Sequence, residues 1–167
     1  MQTISDLQQL FFRVFLWFER EKGPLPIKPA VVIFKEKTGY LDFLQQNRQN
    51  SICNIFDSPE QDIKSDASTL FKMENGKLMV TIAVQNSLSK APLFVQVCTF
   101  IHELCHVYEA TKNGKVTFHI MESPNETKNR EIKIYMESLN FAEEYFGKPI
   151  PSWVKDYVLA RLEKELI

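Results

Sequence analysis

Apolar residues first gather at helical spacing. Leu7, Leu10, Phe11, Val14 and Phe18 recur every three or four positions, which predicts an amphipathic helix with one face on a core. Gly23-Pro24-Leu25-Pro26 breaks that pattern, and Ala30 to Phe34 is a β-branched run of strand length. Residues 36–50 are polar and mixed, with no element assigned. Ser51 to Phe56 reads as a short strand, and 57–68 as a charged loop containing Pro59. Thr69 to Met73 and Lys77 to Val84 flank Glu74-Asn75-Gly76. Asn-Gly supplies the positive φ angles of a two-residue turn, so this is an antiparallel hairpin.

Downstream the period changes to that of helices. From Pro92 to about Lys112 the chain is apolar and uninterrupted, and Asn113-Gly114 ends the run. Lys115 to Met121 suits a short strand or an extended loop. Ser123-Pro124-Asn125-Glu126 has the form of a capping box with proline at the first helical position, and opens a helix to about Phe146. Gly147 to Pro151 breaks it. A last helix follows from Trp153 to Leu166, with Trp153, Val154, Tyr157, Val158, Leu162 and Leu166 on one broad face. The pattern predicts a single α+β domain over 1–167, in which a small, mostly antiparallel sheet packs on the 92–112 helix with other helices flanking it.

That helix carries His102-Glu103-Leu104-Cys105-His106, an HExxH arrangement. One helical turn sets the two imidazoles side by side, where both can bind one metal. Glu103 stands about 100° round, within reach of a water on that metal. The spacing supplies two ligands and a general base. At this composition it arises by chance in about one such chain in two hundred, so coincidence is a poor account of it.

A catalytic zinc takes three protein ligands and keeps one position for water. Candidates for the third are His119, Glu126, Glu131, Glu137 and Glu143. On a helical wheel of 125–146, Glu131 falls in the middle of the apolar arc, where a carboxylate is costly unless a cation pairs with it. Glu137 lies just outside one edge. Bulky Ile132 and Tyr135 flank Glu131, whereas Ser138 and Ala142 beside Glu137 are small enough to admit a close helix. The capping box accounts for Glu126. His119 suits a ligand, a hydrogen-bond donor to the transition state or a surface residue.

Composition narrows the class. Hydrophobic residues make up 44% and charged residues 25%, and the net charge is -1 with no basic block, so the chain carries no clear nucleic-acid footprint. Cys53, Cys98 and Cys105 have no CxxC spacing and fit reduced thiols in a cytoplasmic protein. The apolar opening is punctuated and flanked by Asp6, Arg13, Glu19, Arg20 and Glu21, which suits neither a signal peptide nor a membrane span.

An amphipathic first helix, strands, a hairpin, then Thr99 to Tyr108 with its HExxH and a further helix: this order resembles a minimal, gluzincin-like zincin metallopeptidase. The resemblance spans residues 78–149. It is closer to ImmA/IrrE-like peptidases than to SprT-like ones, whose pattern of a third histidine followed by glycine is met only by His119-Ile120. The ImmA/IrrE-like pattern implies a ligand glutamate followed by a small residue, then Phe-Ala, two large apolar residues and a proline. Glu137-Ser138, Phe141-Ala142, Tyr145-Phe146 and Pro149 follow that order, with Cys105 where the family has glycine and the proline one residue late. The resemblance therefore implies Zn2+ held by His102, His106 and Glu137, with Glu131, Glu126 (at the spacing of thermolysin-like enzymes) and His119 as alternatives.

It further implies peptide-bond hydrolysis by a zinc-activated water, with Glu103 as general base, on a protein or peptide substrate bound along the strand 78–84. Tyr108 or His119 would serve the oxyanion and Glu109 would orient a ligand. The competing expectation is a zincin fold kept as a binding or regulatory module, with metal but little catalysis.

Overall fold

The computed structural model describes residues 2–48, 65–112 and 123–166. Helix α1 (Ile4–Lys22) is opened by a reciprocal cap in which Thr3 Oγ1 accepts from the Asp6 N–H and Asp6 accepts from the Thr3 N–H. It buries the five residues that its periodicity predicts, Leu7, Leu10, Phe11, Val14 and Phe18. Strand β1 (Ala30–Phe34) follows, then helix α2 (Lys37–Arg48). Strands β2 (Ala67–Glu74) and β3 (Lys77–Gln85) form the hairpin. Its turn residues Asn75 and Gly76 both have positive φ, 51° and 73°, as a tight turn that pairs Glu74 with Lys77 requires.

The sheet is mixed, in the order β1-β3-β2. β2 pairs antiparallel with β3, as expected, but β1 lies on the other side of β3 and runs parallel to it, so the expectation of a mostly antiparallel sheet needs correcting. α2 explains the geometry. Within the polar stretch, Lys37–Arg48 is this helix, which starts three residues after β1 and covers one face of the sheet. Tyr40 and Leu44, both fully buried, pack there on Leu70 and Ala83, with Phe34, Leu41 and Phe43 alongside. A helix following a strand so closely is a crossover element, which a parallel pairing needs. Few apolar residues announce it, but Tyr40, Phe43 and Leu44 have the spacing of one helical face.

The other face of the sheet meets the main core. Ala67 and Phe71 of β2, Val80, Ile82 and Val84 of β3, and Val31 and Ile33 of β1 point towards α1 and helix α3 (Leu93–Thr111). Burial on both faces is why the end of β3 reads as a continuous apolar run rather than an alternation. A 3-10 turn, Asn86–Lys90, leads into α3, which is buried at thirteen of its nineteen positions. Helix α4 (Pro124–Phe146) has the expected cap: Ser123 Oγ accepts from the Glu126 N–H and Glu126 accepts from the Ser123 N–H. Gly147, at φ 67°, ends it in the left-handed conformation. In helix α5 (Ser152–Leu166), Val154 is buried, but Trp153 is half exposed and Tyr157 also reaches solvent, so the broad face expected there is not packed over its first turns. The expected strands at 51–56 and 115–121 lie outside the described residues.

Candidate metal centre

α3 presents His102 and His106 one turn apart, and α4 lies against it. Buried Ser138 and Ala142 on α4 provide the small side chains for that approach. Three donor atoms converge where the helices meet. The two Nε2 atoms are 3.0 Å apart, His102 Nε2 is 3.5 Å from Glu131 Oε2, and His106 Nε2 is 3.3 Å from Glu131 Oε1. Zinc at about 2.0–2.1 Å from each donor, with tetrahedral angles, sets its ligands roughly 3.3–3.4 Å apart. The triangle drawn by these side chains is close to one face of such a tetrahedron. Among the described residues, His102, His106 and Glu131 are the one group of side chains that could hold a metal ion.

The electrostatics of these side chains agree with this convergence. Burial pushes the Glu131 carboxyl up, yet the charge and hydrogen bond of His106, with the hydrogen bond of His102, hold it well below the usual glutamate range. Burial likewise disfavours the His106 imidazolium, but the Glu131 carboxylate outweighs it and the net shift is upward. Two imidazoles at 3.0 Å repel if both are protonated. A single divalent cation satisfies both nitrogens and the carboxylate together.

The positions of the expected ligands differ in one respect. His102 and His106 stand together as the motif requires, but the third group beside them is Glu131 rather than Glu137. Glu137 is six residues further along α4, about 9 Å in rise and 240° round, and its carboxylate faces Lys133 Nζ at 3.9 Å on the exposed side. Glu126 is occupied by the cap, Glu143 accepts from Lys155 and the Ile150 N–H, and His119 lies outside the described residues.

Tyr135 shows why bulk beside Glu131 is no obstacle. Its ring lies on the His102 imidazole, with centroids 4.0 Å apart and planes inclined by 34°, and fills the space between the helices. Tyr108 is not placed for an oxyanion. It packs edge-on against Phe18 of α1, and on α3 it points away from the histidine face. Glu109 pairs with Lys112 at 3.0 Å.

Two further residues belong to the site that motif spacing does not reveal. Arg130 Nη1 is 3.4 Å from Glu131 Oε1, a donor to the same carboxylate. Thr69, on β2, donates from Oγ1 to Glu103 Oε2 at 2.5 Å. The signal for Thr69 is faint but present, for it is the polar residue at an inward position between Ala67 and Phe71. β3 is the central strand, so its backbone is already paired on both sides. β2, an outer strand of the described sheet, runs beside α3. No family model matches the chain, and neither a curated protein nor a solved structure matches it. No helix among the described residues is long and apolar enough to cross a membrane.

Proposed function

We propose that the chain is a zinc-dependent peptidase of the zincin type, with His102, His106 and Glu131 as ligands and Glu103 as general base. The observation that carries this reading is the near-tetrahedral spacing of three donors drawn from two helices, with the motif's carboxylate on the next position of α3. A bound zinc ion would supply a Lewis acid for the scissile carbonyl and would lower the pKa of a coordinated water to about 7. Glu103 would take a proton from the attacking water and pass it to the leaving amine. Tyr135 holds the His102 ring in plane, and Arg130 orients the carboxylate of Glu131.

A peptide is the substrate class the surroundings favour. β2 carries the hydrogen-bond partner of Glu103 and is an outer strand of the described sheet, so an extended chain running alongside it would lie beside the base. The test is zinc content after purification without chelator, followed by cleavage of fluorescently labelled casein by wild type and Glu103→Gln. Stoichiometric zinc in both and cleavage only by wild type is expected. Equal cleavage by the two proteins refutes the assignment, and zinc without cleavage in either supports the regulatory module instead.

A further inference from the structure

We infer that Thr69 is a positioning residue for the base: its hydroxyl fixes one oxygen of Glu103 and leaves the other to take the proton. This rests on the peptidase reading and adds to it a residue far from the motif in sequence.

Glu103 is 5% exposed and Thr69 8%, so a carboxylate and a hydroxyl meet in a place from which water is largely excluded. A buried carboxylate is costly without a donor, and among the described residues Thr69 Oγ1 is the donor that reaches the Glu103 side chain. The two oxygens stand 2.5 Å apart, a close O–H···O contact. Thr69 Oγ1 also stands 3.4 Å from the main-chain carbonyl of Glu103. Hydroxyl, carboxylate and helix backbone are therefore gathered at one point. Oε2 is committed to this bond, whereas Oε1 makes no hydrogen bond among the described residues.

The placement on β2 matters as much as the distance. Ala67 and Phe71 show that the inward row of this strand is core. A threonine in that row has its hydroxyl bonded to the one carboxylate that the proposed chemistry uses. A base whose side chain is free to rotate spends much of its time misdirected, and small errors of placement cost large factors in rate. A hydroxyl that pins one oxygen reduces that freedom without touching the ligands. Thr69 thereby acts on the turnover step and leaves metal binding to the two histidines and Glu131.

The experiment compares wild type, Thr69→Val, Thr69→Ser and Glu103→Gln, all zinc-loaded, for kcat and KM on labelled casein and for zinc affinity by competition with a chromophoric chelator. Thr69→Val, which keeps shape and removes the hydroxyl, is expected to lower kcat by about 10- to 100-fold. KM and zinc affinity should stay within about threefold of wild type. Thr69→Ser, which retains the donor, should recover most of kcat. Thermal unfolding of each variant guards against a folding defect. Should Thr69→Val be unstable, Thr69→Ser against Thr69→Ala decides, with the same split expected between them. Wild-type kcat in Thr69→Val while Glu103→Gln is inactive overturns this inference alone. Equal loss of zinc affinity and kcat also overturns it, because the residue would then be supporting the site as a whole. Cleavage by Glu103→Gln at the wild-type rate removes the peptidase reading itself, and the inference with it.

Discussion

Exchanging the charge of one α4 glutamate for the other separates the two possible ligand sets. In Glu131→Gln the carboxylate whose oxygens lie 3.3 and 3.5 Å from the histidine nitrogens becomes a neutral amide of the same shape. Changing residues that merely support a ligand typically lowers metal affinity 10- to 100-fold, so losing a ligand should cost at least about 100-fold, or about 2.7 kcal/mol. Glu137→Gln gives a contrasting magnitude. Six residues along the helix place its Cα about 10 Å from that of Glu131, with its side chain turned towards Lys133. A divalent ion and a carboxylate about 10 Å apart in water attract by roughly 0.8 kcal/mol, which salt at 0.1 M reduces to about 0.3 kcal/mol. That is less than a twofold change in affinity. After dialysis against EDTA, titration of zinc into each protein in competition with a chromophoric chelator reads both values. A larger loss in Glu137→Gln than in Glu131→Gln refutes Glu131 as the third ligand.

Three further outcomes follow from the fold. Leu104→Ala, at a fully buried position on α3, should lower stability by about 2–5 kcal/mol, read as a shift in the urea midpoint. Asp6 and Glu126 are held below the usual carboxyl range by the backbone and side-chain hydrogen bonds of Thr3 and Ser123, and Glu143 by Lys155 and the Ile150 N–H. Their contributions are complete above the ordinary carboxyl value, about 4, and are lost as pH falls through the lower folded values. Thermal midpoints should therefore drop with acid from about pH 4 downward, and Asp6→Asn with Glu126→Gln should flatten that slope. Burial, and then the charge of Glu143, pushes the Cys98 thiol up to about 12. Burial, then Glu137, raises Cys105 as well. In a Cys53→Ser background neither thiol should react with a disulfide reagent at about pH 8 until denaturant is added, and rapid labelling of the native protein would contradict their burial.

What the chain announces about itself depends on how local the signal is. The hairpin turn, the Ser123 cap and the apolar face of α1 are set by neighbours within a few residues, and spacing alone reveals them. The histidine pair is equally local. α2 is harder to see because it meets the core through few apolar side chains amid polar ones. The parallel placement of β1 depends on a distant pairing that no dipeptide encodes. The carboxylate beside the histidine pair is the instructive case. A carboxylate centred on a buried arc points to Glu131, whereas the expectation of Glu137 comes from family register and from treating Tyr135 as an obstruction. In the folded chain the Tyr135 ring leans on His102 with centroids 4.0 Å apart and belongs to the packing around the pair. Thr69 is invisible to motif reading, since its partner is 34 positions away.

The carboxamide of Gln96 has a consequence for handling the protein. Almost wholly enclosed near the start of α3, it exchanges hydrogen bonds in both directions with the amide of Gln2, at 3.1 and 2.7 Å, and donates to the carbonyls of Ala91 and Ser89. The residue ahead of the first helix is thus a latch on the turn that launches the histidine-bearing one. Trimming the chain back to Thr3 would strand a polar group indoors at a cost of about 1–3 kcal/mol and loosen that launch point. Purification handles are better fused beyond Ile167 than cut into the opening residues.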